Sequence, residues 1–154
     1  RPRVPISCLD PQVKSLNYLN NILAKIEAVD AGVLEALMLN IDGEVAECTG
    51  DNIFIIKDGI ISTPHLCAGI LNGITRRFVI DEVAPAIGYT IHERSITLDE
   101  VISADEIFLT GTAAEVIGVS HVGHDVIGSG KVGPISKSLE QEFRRRVASD
   151  APEN

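Results

Sequence analysis

The sequence predicts one mixed α/β domain, in which a largely antiparallel sheet or pseudo-barrel is flanked by about four helices. Three observations support this prediction. The chain has 154 residues, of which 45% are apolar, so it is long and apolar enough to bury one core. Two Asp-Gly turn signals lie between apolar runs and favour antiparallel hairpins. Apolar residues recur at helical spacing over 13–32, 73–88 and 134–147.

Charge and cysteine content restrict the classes of partner and site. The net charge of −9 argues against nucleic acid or an anionic membrane surface as a partner, since both require a basic face. The three cysteines are odd in number and widely spaced, which argues against a disulfide framework and favours a reducing compartment such as the cytoplasm. The His and Cys residues lack zinc-ligand spacing, so no metal site is expected.

The first predicted helix, 13–32, reads VKSLNYLNNILAKIEAVDAG and carries a lysine near its start. The positive end of the helix dipole and the apolar neighbours Val13 and Leu16 would disfavour the charged form of Lys14. A neutral lysine amine is the form that condenses with an aldehyde. The alternative interpretation is a solvated surface lysine.

Two hairpins are predicted after this helix. One has strands over 32–40 and 44–49 around Asp42-Gly43, and the other turns at Asp58-Gly59. The loop AECTGDN (46–52) connects them and offers Glu47 and Asp51. Glu47 ends an apolar strand, where a carboxylate needs a partner, and a protonated heterocyclic nitrogen would be one. A polar loop that bonds only to itself is the alternative.

The second half of the chain is predicted to alternate between helices and strands. We expect Pro85 to bend the helix over 73–88, Gly88 to follow its end, and a capping box to join Thr97 to Glu100. The remaining predicted elements are a strand over 89–96, a short helix over 97–104, strands over 106–112 and 115–122, a glycine-rich turn over 123–133, a last helix over 134–147 and a frayed tail over 149–154.

Two further motifs are suited to binding anions. NGITRR (72–77) places a glycine before a helix whose first turn carries Thr75 and no acid, and TGTAAE (110–115) offers small residues and hydroxyls after an apolar strand. Each motif is weak evidence alone, since a plain helix start and a tight turn would look the same. An amine, a carboxylate, a phosphate cradle and a wall of small residues together match the needs of pyridoxal 5′-phosphate.

The segments KSLNYLNNILAKIEA, AECTGDNIF, LNGITRR and FLTGTAAE occur here in this order. Together they resemble the fold-type IV pyridoxal-phosphate enzymes, the class IV aminotransferase family, and within it the branched-chain-amino-acid aminotransferases. The resemblance covers residues 4 to 147. D-amino-acid aminotransferases and aminodeoxychorismate lyases belong to the same family, and the fold implied is that of its large domain.

The resemblance implies a role for each matching residue. Lys14 would hold the cofactor covalently and shuttle the proton between the substrate Cα and the cofactor C4′. Tyr18 would hydrogen-bond the phenolic oxygen, and Glu47 would pair with the pyridinium nitrogen. The other implied contacts are Leu71 on the ring face, Ile74 and Thr75 at the phosphate, Thr112 at the phosphate and the substrate carboxylate, and Ala113 at that carboxylate.

The resemblance also implies a domain organisation and an activity. Residues 1–13 would be a remnant of the interdomain linker and first strand, 14–148 the cofactor-binding large domain and 149–154 a tail, with the family's N-terminal small domain absent. The intact protein would transaminate leucine, isoleucine or valine with 2-oxoglutarate, as a cytoplasmic homo-oligomer. The alternatives are a D-amino-acid aminotransferase, an aminodeoxychorismate lyase, an inactive folded fragment and a binding module without cofactor.

Overall fold

A central five-stranded sheet organises the chain in the computed structural model, which describes residues 2–5 and 7–149. The strands of this sheet lie in the order β5-β4-β3-β6-β7, and only the β4–β5 pair is parallel. Two small antiparallel sheets, β1-β2 and β8-β9, accompany it. The strands are β1 Leu37–Leu39, β2 Val45–Cys48, β3 Asn52–Lys57, β4 Ile60–Pro64, β5 Ile91–Arg94, β6 Glu106–Gly111, β7 Glu115–Val119, β8 His121–Val122 and β9 Asp125–Val126. This architecture confirms the predicted mixed α/β class.

Both predicted hairpins form, although the first is shorter than expected. The second turns at Asp58 and Gly59, whose φ angles of 49° and 77° are both positive, as a two-residue turn that matches the strand twist requires. In the first, the predicted strand over 32–40 contracts to Leu37–Leu39. The glycine-rich turn predicted over 123–133 contains the short strand β9.

The core lies on both faces of the central sheet because β3 and β6 are buried on both sides. One face packs against β1, β2 and the short helix α4, Leu98–Ile102. The other face packs against helices α2, Ile74–Phe78, α3, Ala84–Ala86, and α5, Pro134–Ser149. On that face the rings of Phe54 and Phe108 stack with their centroids 4.5 Å apart.

The helical segment over 74–86 is interrupted by a π-helical turn. The turn spans Val79–Val83 and joins α2 to α3. It ends two residues before Pro85, which has no N–H to donate to the preceding turn and whose ring crowds that turn. Gly88 has a φ of 83° just after the end of α3, as predicted. The capping box of Thr97 and Glu100 is also present.

The first helix, α1, differs from its prediction in both extent and orientation. It spans Leu19–Asp30, because residues 13–18 form local turns, in which Ser15 Oγ, for example, accepts from the Asn17 N–H. Lys14 therefore lies four residues before the N-cap Tyr18, ahead of the helix and not in its first turn. The helix buries Asn21, Ala24 and Ala28. Its large apolar residues remain exposed, namely Leu19, Ile22, Leu23, Ile26 and Val29.

Candidate functional site

One cleft brings together residues that are far apart in the sequence. Its walls come from the segment before α1, from the end of β2 and the loop that follows it, and from the loop before α2. Four of the eight predicted site residues line it, namely Lys14, Tyr18, Glu47 and Leu71. The predicted amine and the predicted acid therefore face the same cavity.

Lys14 lies exposed at the mouth of this cleft. Its Nζ lies 5.8 Å from the centroid of the Tyr18 ring, within the range of a cation–π contact. Gln12 anchors the same segment, because its Nε2 donates to the Ile70 carbonyl at 2.7 Å. The lysine segment is thus attached to the loop that carries Leu71.

Glu47 is the buried acid of the site, with 6% of its surface exposed. Arg3 Nη2 lies 2.8 Å from Oε1, while Oε2 accepts from Asn52 Nδ2 at 3.2 Å and from the Leu71 N–H at 3.0 Å. Burial raises the pKa of this carboxyl to about 7, against the opposing effects of Arg3, the Leu71 N–H and Lys14. Glu47 therefore loses its proton near neutral pH, and a further cation nearby would favour its ionised form.

Sequence reasoning missed two polar residues that hold Glu47 in place. Arg3 is fixed by Asn21 Oδ1, which accepts from its Nη1 at 2.6 Å, and by the Gly69 carbonyl at 3.3 Å. Asn52, the first residue of β3, is 5% exposed and donates to the Leu71 carbonyl at 3.0 Å as well as to Glu47. A polar residue opening an apolar strand was the available signal for Asn52, because a buried amide must find partners.

Ile74 and Thr75 begin α2 and lie outside the cleft lining. Ile74 is exposed and Thr75 half-buried. The first helical bond runs from the Arg77 N–H to the Gly73 carbonyl at 3.0 Å, so the preceding N–H groups lack helical partners. Gly73, just before α2, packs closely against Asn52, because a Cβ placed at Gly73 would lie 2.4 Å from Asn52 Oδ1.

Thr112 and Ala113 lie in the exposed turn between β6 and β7, also outside the cleft lining. This turn borders the cleft through its neighbour Gly111, which packs against the loop after β2. A Cβ at Gly111 would lie 1.8 Å from Asp51 Oδ1 and 3.6 Å from the Gly50 carbonyl. The four remaining predicted site residues thus lie at the start of α2 and in the β6–β7 turn, outside the lining of the cleft.

Comparison with known proteins identifies the family of the chain. The sequence model of the family described as amino-transferase class IV matches residues 1–122. The chain belongs to the class IV aminotransferases. The family resemblance predicted from the four motifs is therefore confirmed.

Relatives within this family include enzymes of two named specificities. The chain is 48% identical over 126 residues to a branched-chain-amino-acid aminotransferase of Pseudomonas aeruginosa, covering 82% of this chain and 40% of that protein. It is 38% identical over 138 residues to a D-alanine aminotransferase of Bacillus licheniformis, covering 90% of this chain and 48% of that protein. The chain spans about half the length of the relatives it matches.

Solved structures of class IV aminotransferases superpose on almost all of the chain. One is the branched-chain amino acid aminotransferase of Thermobaculum terrenum in its PLP-bound holo form, with a TM-score of 0.92 and 36% identity, covering 97% of this chain and 49% of that one. Another is the branched-chain aminotransferase of Thermoproteus uzoniensis with norvaline, with a TM-score of 0.91 and 41% identity, covering 96% of this chain and 49% of that one.

No helix within residues 2–5 and 7–149 is long and apolar enough to cross a membrane.

Proposed function

We propose that this chain is the pyridoxal 5′-phosphate-binding part of an aminotransferase that acts on branched-chain L-amino acids with 2-oxoglutarate. The observation that carries the proposal is the shared cleft of Lys14 and Glu47, an amine and a buried acid that lie 33 positions apart in the sequence. The relatives and solved structures named for branched-chain substrates support the substrate class.

The residues present fit this cofactor. The cofactor supplies a ring that accepts the electrons of a carbanion formed next to nitrogen. Glu47 is suited to the ring nitrogen, because a protonated nitrogen nearby favours the ionised form of a carboxyl whose pKa is about 7. In the proposed site Tyr18 binds the phenolic oxygen and Leu71 packs on the ring.

The remaining roles concern the phosphate, the substrate and the proton. The free N–H of Ile74 and the hydroxyl of Thr75 bind phosphate at the start of α2, and Thr112 binds it from the β6–β7 turn. Thr112 and Ala113 also receive the substrate carboxylate. Lys14 is the residue that would hold the cofactor, and its amine would move the proton at the substrate Cα as the general base.

The main alternative to this proposal concerns the stereochemistry of the substrate, which could be a D-amino acid instead of an L-amino acid. A D-alanine aminotransferase at 38% identity favours a D-amino-acid transaminase as the second candidate. An assay of the intact protein with L-leucine and with D-alanine, each paired with 2-oxoglutarate, separates the two. The proposal predicts turnover of L-leucine, and turnover of D-alanine alone would contradict it.

Residues 14–148 are proposed to be the cofactor domain, and residues 1–13 the linker remnant, from which Arg3 reaches into the site. The predicted tail, 149–154, lies outside the described residues apart from Ser149, which ends α5. We place the intact protein in the cytoplasm as a homo-oligomer. The exposed apolar residues of α1 support self-association, because such a patch favours burial against another surface.

Cofactor binding to the chain itself is tested by titration with pyridoxal 5′-phosphate. We expect a new visible absorbance band in the wild-type chain and its loss in Lys14→Ala. Lys137→Ala removes another exposed lysine, on α5, and is the control expected to keep the band. A folded wild-type chain without the band would favour the inactive fragment.

A further inference from the structure

Asn52 connects Glu47, which the proposed function assigns to the ring nitrogen, with the segment over 71–75, which contains the proposed phosphate-binding residues Ile74 and Thr75. Its Nδ2 donates to Glu47 Oε2 at 3.2 Å and to the Leu71 carbonyl at 3.0 Å, so both amide hydrogens are used. The Leu71 N–H also donates to Glu47 Oε2. Glu47, Asn52 and Leu71 are therefore joined pairwise in a closed set of hydrogen bonds.

The orientation of this amide is fixed by its surroundings. A carboxylate oxygen and a carbonyl oxygen face the same end of the Asn52 side chain, and only the NH₂ group can satisfy both. The other end, Oδ1, lies against Gly73, where even a methyl group would come within 2.4 Å. Because Asn52 is buried at the start of β3, it cannot yield by swinging into solvent.

We propose that Asn52 is a positioning residue that holds Glu47 and the phosphate loop over 71–75 at a fixed separation, so that the ring nitrogen and the phosphate are bound together. The inference rests on the proposed cofactor. Its physical basis is preorganisation, since binding groups held in place lose less freedom when a ligand arrives. Phosphate affinity should then depend on a residue that does not touch phosphate.

The first test needs no cofactor and measures the titration of the Glu47 carboxyl by NMR. Asn52→Asp replaces a donor with a charged acceptor, so we expect it to raise the pKa of Glu47 above that of the wild type. Asn40 also donates from its amide to a carboxylate, that of Glu44, but in the first hairpin, so Asn40→Asp is the matched control. The control should leave the Glu47 titration unchanged.

A substitution in the phosphate loop should also change the titration of Glu47, because Asn52 contacts both. Gly73→Ala adds a methyl group that pushes Asn52 Oδ1, and we expect it to shift the titration of Glu47 in the same direction. Gly50→Ala is the control, because its methyl group would lie 3.8 Å from the nearest oxygen of Glu35, an ordinary contact. An unchanged Glu47 titration in both Gly73→Ala and Asn52→Asp overturns the inference.

The second test compares the affinity for pyridoxal 5′-phosphate with that for pyridoxal, which lacks the phosphate. We expect Asn52→Ala to weaken binding of the phosphorylated compound about tenfold more than binding of pyridoxal, in the range of losing one hydrogen bond to a charged group. Equal weakening of both compounds would mean that Asn52 merely supports the fold and would overturn the inference. A wild-type chain that binds neither compound refutes the proposed function, while the Glu47 titration still decides the role of Asn52.

Discussion

The buried acid makes the stability of the cofactor-free chain depend on pH in a specific direction. Glu47 has a pKa of about 7 in the folded chain against an ordinary value of 4.5. Since the folded state holds this proton more tightly, the contribution of Glu47 is fully favourable below pH 4.5 and is lost as the pH rises through 7. The loss totals about 3 kcal/mol, most of which falls between about pH 5 and about pH 8.

The perturbation that isolates this effect is Glu47→Gln, which keeps the shape of the side chain and removes its titration. Urea unfolding of both proteins from about pH 5 to about pH 8 gives the difference in free energy of unfolding, in which the other titrating groups cancel. We expect the free energy of unfolding of the wild type to fall by about 2 to 3 kcal/mol relative to that of the variant over this range. Parallel pH profiles would refute the reasoning, and so would a wild type that gains relative stability as the pH rises.

Two further changes test the surroundings of the site and the exposed helix. Arg3→Met removes the cation next to Glu47, so the pKa of Glu47 should rise further. The free energy of unfolding in urea should fall by about 3 kcal/mol at about pH 9 but by much less at about pH 5. An equal loss at both pH values would show that the ion pair is not responsible. Ile26→Asp places a charge on the exposed apolar face of α1 and should reduce self-association in analytical ultracentrifugation. Ile60→Asp, at a similarly exposed residue on β4, is the control, and equal effects of the two would contradict a role for that face.

Local signals predicted the parts of the fold that depend on local chemistry. The Asp58-Gly59 turn and the Thr97–Glu100 box form as expected because neighbouring residues satisfy each other. The predicted start of α1 at residue 13 was wrong, because short-range hydrogen bonds in the turns before Leu19 compete with helical ones. Periodicity also identified the apolar stripe of α1 but not its exposure, since spacing does not say what packs against a face.

The site shows the same division between local and distant information. Lys14 and Glu47 could be proposed because each is chemically unusual in its own segment, and the structure places both in one cleft. Arg3 could not be proposed, because its importance comes from an ion pair with a residue 44 positions away. Asn52 was missed for a similar reason, since its role depends on the loop that carries Leu71.

The most direct measurement of the central claim is to find which lysine the cofactor modifies. The chain is incubated with pyridoxal 5′-phosphate, reduced with borohydride, digested and analysed by mass spectrometry. We expect one reduced phosphopyridoxyl group per chain, on Lys14. Label spread over exposed lysines such as Lys57 and Lys137, with Lys14 unmodified, would contradict it.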